Sequence, residues 1–164
     1  MPKKIDIHTQ LEQKYTFRIG GHKIILFKKH LERVVHVYSK ALVLALFHRQ
    51  YSNLLVEHSI EDRYKPDVVA LDDQARPLFW AECLAVKPEK INKLLNKYRK
   101  TYFVFIRSVA TLDSFTRIIA KIKKKSKHQA TVEVIALPDD FDDYIADDGH
   151  IQIRKRDCDY NVVA

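Results

Sequence analysis

The chain has 164 residues, 46% of them apolar, enough for one domain with a substantial core. No run approaches the roughly 18 consecutive apolar residues of a membrane span, and the start, Met-Pro-Lys-Lys-Ile-Asp, lacks the apolar stretch of a secretory signal. With only two cysteines, Cys83 and Cys158, a disulfide framework is excluded as well, and a reduced, cytoplasmic protein is expected.

The formal net charge is +8, and it is unevenly placed. Residues 139–148 hold six Asp and no Lys or Arg, so the rest of the chain is more basic than the total suggests. A basic body favours a polyanionic partner, with nucleic acid the first candidate, and an ordinary basic surface is the plain alternative.

Few glycines and prolines interrupt the pattern, so elements are expected to be long. Residues 4–19 and 22–28 alternate around Gly20-Gly21, which predicts a β-hairpin with Tyr15, Phe17, Ile19, Ile24 and Leu26 on one face. Residues 29–50 read as a helix, since Leu31, Val34, Val35, Tyr38, Leu42, Ala45 and Leu46 recur at helical spacing. Three strands follow near 53–58, 66–71 and 77–86. The short polar link Asp72-Asp73-Gln74-Ala75-Arg76 makes the last two an antiparallel hairpin. A helix then runs from Pro88, tolerated in a first turn, to about Lys100. Tyr102–Ile106 reads as a buried parallel strand, Thr111–Lys125 as an amphipathic helix and Thr131–Leu137 as a last strand. The expectation is a single α/β domain over 1–164, with a hairpin (1–28), a core (29–137), and an acidic loop and C-terminal segment (138–164).

Asp67, near the start of one strand of the predicted hairpin, and Glu82, near the end of the other, can lie side by side. Two carboxylates held that close repel unless a cation, a proton or a lysine lies between them. A site for a divalent metal is one solution. For Asp67 the plain alternative is a turn residue after proline. Glu82, with Trp80 and Leu84 on its strand face, needs a partner because a lone buried carboxylate is costly.

The order helix, three strands, helix, strand, with Lys-Pro-Asp67-Val on the second core strand and Trp80-Ala-Glu82 on the third, resembles the PD-(D/E)XK, restriction-endonuclease-like superfamily. Leu-Glu32-Arg on the first helix and Lys87-Pro-Glu-Lys90 opening the next bring it nearest to the YaeQ-like family. The likeness covers most of residues 28–106. It implies a restriction-endonuclease-like mixed sheet flanked by helices and metal-dependent phosphodiester hydrolysis on nucleic acid. Asp67 and Glu82 would then hold Mg²⁺ or Mn²⁺, with Glu32 as an accessory acid. Hard cations of this kind take one or two carboxylates plus water and substrate phosphate.

One departure is serious. The pattern places a lysine two residues after the second acid, and here that residue is Leu84. Lys90 is the candidate replacement, because its long stem can bring an ammonium into the same space. Lys87 and Lys93 are second choices. Lys90, Lys93, Lys97 and Lys100 recur along one helix face, with Ile91, Leu94, Leu95 and Tyr98 opposite. With Lys87, that face could hold phosphates, or it is simply the solvated side of an amphipathic helix. Lys121 and the lysines of 123–127 complement the end of the later helix.

Other chemistries find little support. The histidines show no zinc spacing, Gly20-Gly21 alone makes no phosphate loop, and Cys83 reads as core. His36, four residues after Glu32, reads as its surface neighbour, and Glu32 itself as an exposed first-turn acid. The acidic loop lacks the glycine and terminal glutamate of an EF-hand. The competing function is a catalytically silent module of the same fold that binds nucleic acid or a protein partner.

Overall fold

A computed structural model describes residues 12–164. Residues 4–11 of the expected hairpin lie outside them. β1 (Gln13–Ile19) and β2 (His22–Lys28) form that hairpin as a separate two-stranded sheet. Gly20 and Gly21 both have positive φ, the conformation its tight turn demands. Phe17, Ile19 and Leu26 bury the face the alternation predicts.

The main helix, α1 (Val34–Phe47), is shorter than the periodicity over 29–50 suggests. Leu31 takes φ 65°, which no helix accommodates, and it is 59% exposed rather than part of the buried stripe. From Val37 to Ala45 every residue except Tyr38 is buried, Ser39 and Lys40 included, so the helix is packed on several sides. Gly20 of the hairpin turn sits against the end of α1, where an added Cβ would come within 2.7 Å of His48 Nε2.

A six-stranded mixed sheet follows, in the order β3-β4-β5-β6-β7-β8. Its strands are β3 (Leu55–Val56), β4 (Val68–Leu71), β5 (Pro77–Cys83), β6 (Tyr102–Ser108), β7 (Val132–Leu137) and β8 (Tyr160–Val163). β4 and β5 are antiparallel, and Asp72 closes their turn by accepting the N–H groups of Gln74 and Arg76 at 2.9 Å. β5, β6 and β7 are parallel, connected through α2 (Pro88–Lys97) and α3 (Leu112–Lys125). The strand β8, antiparallel to β7, is absent from the sequence reading. It is four residues long and its side chains are exposed or half-buried, so it carries little alternation to read.

Side-chain alternation on β5 separates two cores. Phe79, Ala81 and Cys83 face α1 and the hairpin. Trp80 faces the other side, with Ile91, Leu94 and Leu95 of α2 and Phe115 and Ile119 of α3. The expected α-β-β-β-α-β core is therefore present, with helices on both faces and the hairpin as an extension. Among the described residues no helix is long and apolar enough to cross a membrane.

Candidate functional site

At the open ends of β4 and β5 a chain of alternating charges begins with Asp67. Just before β4, Asp67 accepts the backbone N–H of Cys83 on Oδ2 at 2.7 Å, which anchors it against the end of β5. Its Oδ1 lies 3.4 Å from His36 Nε2. The other ring nitrogen, Nδ1, is 2.6 Å from Glu32 Oε2. Lys40 Nζ then bridges Glu32 at 3.2 Å and Glu57 at 3.1 Å, and Lys29 caps the series at 3.1 Å from Glu57. Asp67, His36, Glu32, Lys40, Glu57 and Lys29 thus form one continuous network.

The electrostatics follow from these distances. The bond to Asp67 is the largest influence on His36 and raises its pKa, reinforced by Glu32 against the opposing effect of burial. Burial would raise Glu32, but His36 and Lys40 outweigh it and hold the carboxyl below its ordinary range. Lys40 is 1% exposed, and burial favours its neutral form, yet Glu57 and Glu32 together keep its pKa above the ordinary value. For Glu57, desolvation is again the largest influence, and Lys40 and Lys29 together overcome it and hold the carboxyl down.

Glu82 lies beside this network with its own partners. Its Oε1 accepts the Trp80 indole N–H at 2.9 Å and the Lys90 ammonium at 2.9 Å. Burial raises its pKa most, Asp67 adds to that, and Lys90 opposes it. The two acids therefore feel each other, while each is engaged from a different flank: Asp67 by His36 of α1, Glu82 by Lys90 of α2.

Several expectations change here. Glu32 is not a solvated first-turn acid, because α1 begins two residues later and its carboxylate is drawn into the His36–Lys40 network. His36 touches Asp67 as well as Glu32. Strand β5 ends at Cys83, not near residue 86. Leu84 has φ 68° and donates its N–H to Ile106 O at 2.9 Å, so it leaves the strand alternation that would put it on the face of Glu82. Lys90 leaves the solvated side of α2 and packs over the Tyr64 ring while pairing with Glu82. Of the phosphate-holding candidates, Lys87, Lys93 and Lys100 are exposed. Lys97 is tied to Asp62 at 2.6 Å and to the face of Tyr98.

Lys40 and Glu57 are members of the site that the sequence reading passes over. A lysine inside the apolar stretch of α1 was the available signal, since a buried cation must have anionic partners. Glu57 offers none, because its φ of 49° places it in an irregular segment after β3.

Among the described residues, no three His, Cys, Asp or Glu side chains are grouped so as to hold a metal. A closed protein cage is not present there. Asp67 and Glu82 are a pair of neighbouring hard oxygen donors, a set that suits an ion which keeps most of its waters.

The fold defines a mixed α/β protein with this charged cluster at the strand ends. Its architecture is that of the YaeQ proteins. The structure of YaeQ from Pseudomonas syringae matches with a TM-score of 0.61 at 17% identity, covering 87% of this chain and 82% of that one. YaeQ from Xanthomonas axonopodis pv. citri matches with a TM-score of 0.57 at 17% identity, covering 80% and 76%. No protein-family model and no curated protein sequence matches the chain.

Proposed function

We propose that this YaeQ-like fold belongs to the PD-(D/E)XK superfamily and that the chain hydrolyses phosphodiester bonds in nucleic acid with a divalent metal. The observation that carries this reading is the Lys90 ammonium 2.9 Å from Glu82 Oε1, beside Asp67. It supplies from α2 the cation that Leu84 cannot. Asp67 and Glu82 would hold Mg²⁺ or Mn²⁺, which when bound acidifies a water and neutralises charge on the phosphate.

The chain's own residues prepare the site. The Cys83 N–H and His36 orient Asp67, and Trp80 fixes Glu82. Lys90 offers a mobile positive charge to an anion developing on phosphate oxygen. Glu32 acts one residue further out, holding His36. The exposed Lys87, Lys93 and Lys100 would meet the backbone of the nucleic acid.

The test is incubation with Mn²⁺ and single-stranded DNA, double-stranded DNA or RNA. The expected result is cleavage of at least one substrate, reduced about 100-fold or more in Asp67→Asn and in Lys90→Met, the scale of removing one preorganised electrostatic group. Intact substrates, or variants as active as the parent, would overturn the reading.

A second reading draws on the same pair of residues. Glu82 is already neutralised by Lys90, as in a site with no metal to hold. A silent module would bind nucleic acid with a steep salt dependence, cut none of it, and bind equally well in Asp67→Asn.

A further inference from the structure

On the far side of Leu84 a cavity of about 510 Å³ opens at the carboxyl ends of the parallel strands β5, β6 and β7. In open α/β sheets this end, where successive loops diverge, is where ligands are bound. Arg107, near the end of β6, lines it. The Arg107 guanidinium stacks over the Phe115 ring at 4.4 Å, and its Nη1 donates to Leu84 O at 2.9 Å. Its Nε is buried and has no partner. No carboxylate of the described residues pairs with it. The Nε nitrogen is closed off from the cavity, but a half-buried guanidinium with no counter-ion is costly unless an anion pairs with it. Its planar fork suits a phosphate.

The remaining lining is sorted by chemistry. Arg33 and the hydroxyls of Ser108 and Thr111 also line the cavity, adding a second cation and two polar groups suited to an anion. The Ser108 and Thr111 oxygens are 2.9 Å apart. The half-buried Tyr38 and Leu84 contribute apolar surface suited to the face of a ring. Asp139 and Asp142 are the carboxylates of the lining; Asp142 is engaged by the Tyr38 hydroxyl, while Asp139 is exposed. Two cations against two carboxylates do not suit a bare anion. They suit a ligand with a phosphate at one end and hydrogen-bond donors at the other, and the volume falls within the roughly 300–1,000 Å³ of small-molecule sites.

We propose that this cavity binds one nucleotide, its phosphate on Arg107 and its base against Tyr38 and Leu84. The site requires binding alone and stands whether or not the Asp67–Glu82 cluster cleaves anything. Its occupant is a phosphate monoester of a nucleoside, either free or at a strand terminus.

Calorimetric titration in EDTA tests this with adenosine 5′-monophosphate, adenosine and inorganic phosphate in turn. The nucleotide is expected to bind at least about tenfold more tightly than either fragment. Arg107→Gln, which keeps a donor for Leu84 O, is expected to weaken it by about tenfold or more, the scale of one charge-assisted hydrogen bond. Ser108→Ala, at an exposed position, should weaken it by a smaller factor, and Asp67→Asn should leave it unchanged. A 5′-phosphorylated oligonucleotide competing where its 5′-hydroxyl counterpart does not assigns the site to strand ends; no competition from either assigns it to free nucleotides. No binding at millimolar nucleotide, equal binding of phosphate alone, or undiminished binding in a folded Arg107→Gln protein overturns the proposal.

Discussion

Replacing Lys90 with Met keeps most of the stem that packs over Tyr64 and deletes the charge that faces Glu82. The Glu82 side chain is 6% exposed and that of Lys90 24% exposed. Removing one partner of a fully buried ion pair costs about 3–5 kcal/mol. The partial access of water to Lys90 brings the expected loss to about 2–3 kcal/mol, or roughly 4–12 °C in melting temperature for a chain of this length. The loss should depend on pH. Burial already raises the pKa of Glu82 above its ordinary value, and without Lys90 it rises further. A carboxyl whose folded pKa is raised contributes stability that is present in acid and lost as pH rises through that pKa. The deficit of Lys90→Met should therefore be larger at pH 8 than at pH 5, shrinking as pH falls and Glu82 takes up a proton. Urea unfolding of both proteins at the two pH values measures it. In the double variant Glu82→Gln/Lys90→Met, most of the stability at pH 8 should return, because the amide still accepts the Trp80 N–H. A deficit equal at both pH values, or no rescue in the double variant, would refute the reasoning.

Lys40→Met should be at least as damaging, since it leaves Glu32 and Glu57 facing each other without their shared cation; urea unfolding at neutral pH should show a loss of about 3–5 kcal/mol. The raised pKa of His36 means that its contribution to stability is complete below about pH 6.5 and fades as pH rises through the folded value. His36→Gln should remove that slope, read from unfolding midpoints between pH 6 and 9. For nucleic-acid binding, changing Lys87, Lys93 and Lys100 to Gln should reduce the slope of log K against log salt on duplex DNA by roughly 0.9 for each phosphate that is no longer neutralised. Lys97→Gln should change that slope less, because its ammonium is occupied by Asp62.

The sheet apart from β8, and the existence of its helices, were legible because the strands carry strong apolar signals and the helices a clear period. The Gly20-Gly21 turn and the Asp72–Arg76 link were legible from local turn chemistry alone. Where the pattern misled, a single backbone conformation decided the outcome. Leu31 and Leu84 are ordinary leucines in sequence, yet both take positive φ, one keeping the helix from starting before Val34 and the other ending β5 at Cys83. Of the site, Asp67 and Glu82 could be expected to be neighbours because a short hairpin connects their strands. Their separate partners could not, because His36 and Lys90 reach them from helices on different flanks of the sheet, and tertiary packing alone sets that approach. Arg107 gave no sign of its isolation, since the lack of a counter-ion becomes visible only when its surroundings are known.

A crystal soaked in Mn²⁺ tests the central claim most directly, through anomalous density at the ends of β4 and β5. The account predicts one peak with oxygens of both Asp67 and Glu82 about 2.0–2.6 Å away and Lys90 swung off Glu82. Featureless density there, with the Lys90–Glu82 and His36–Asp67 pairs intact, would contradict it.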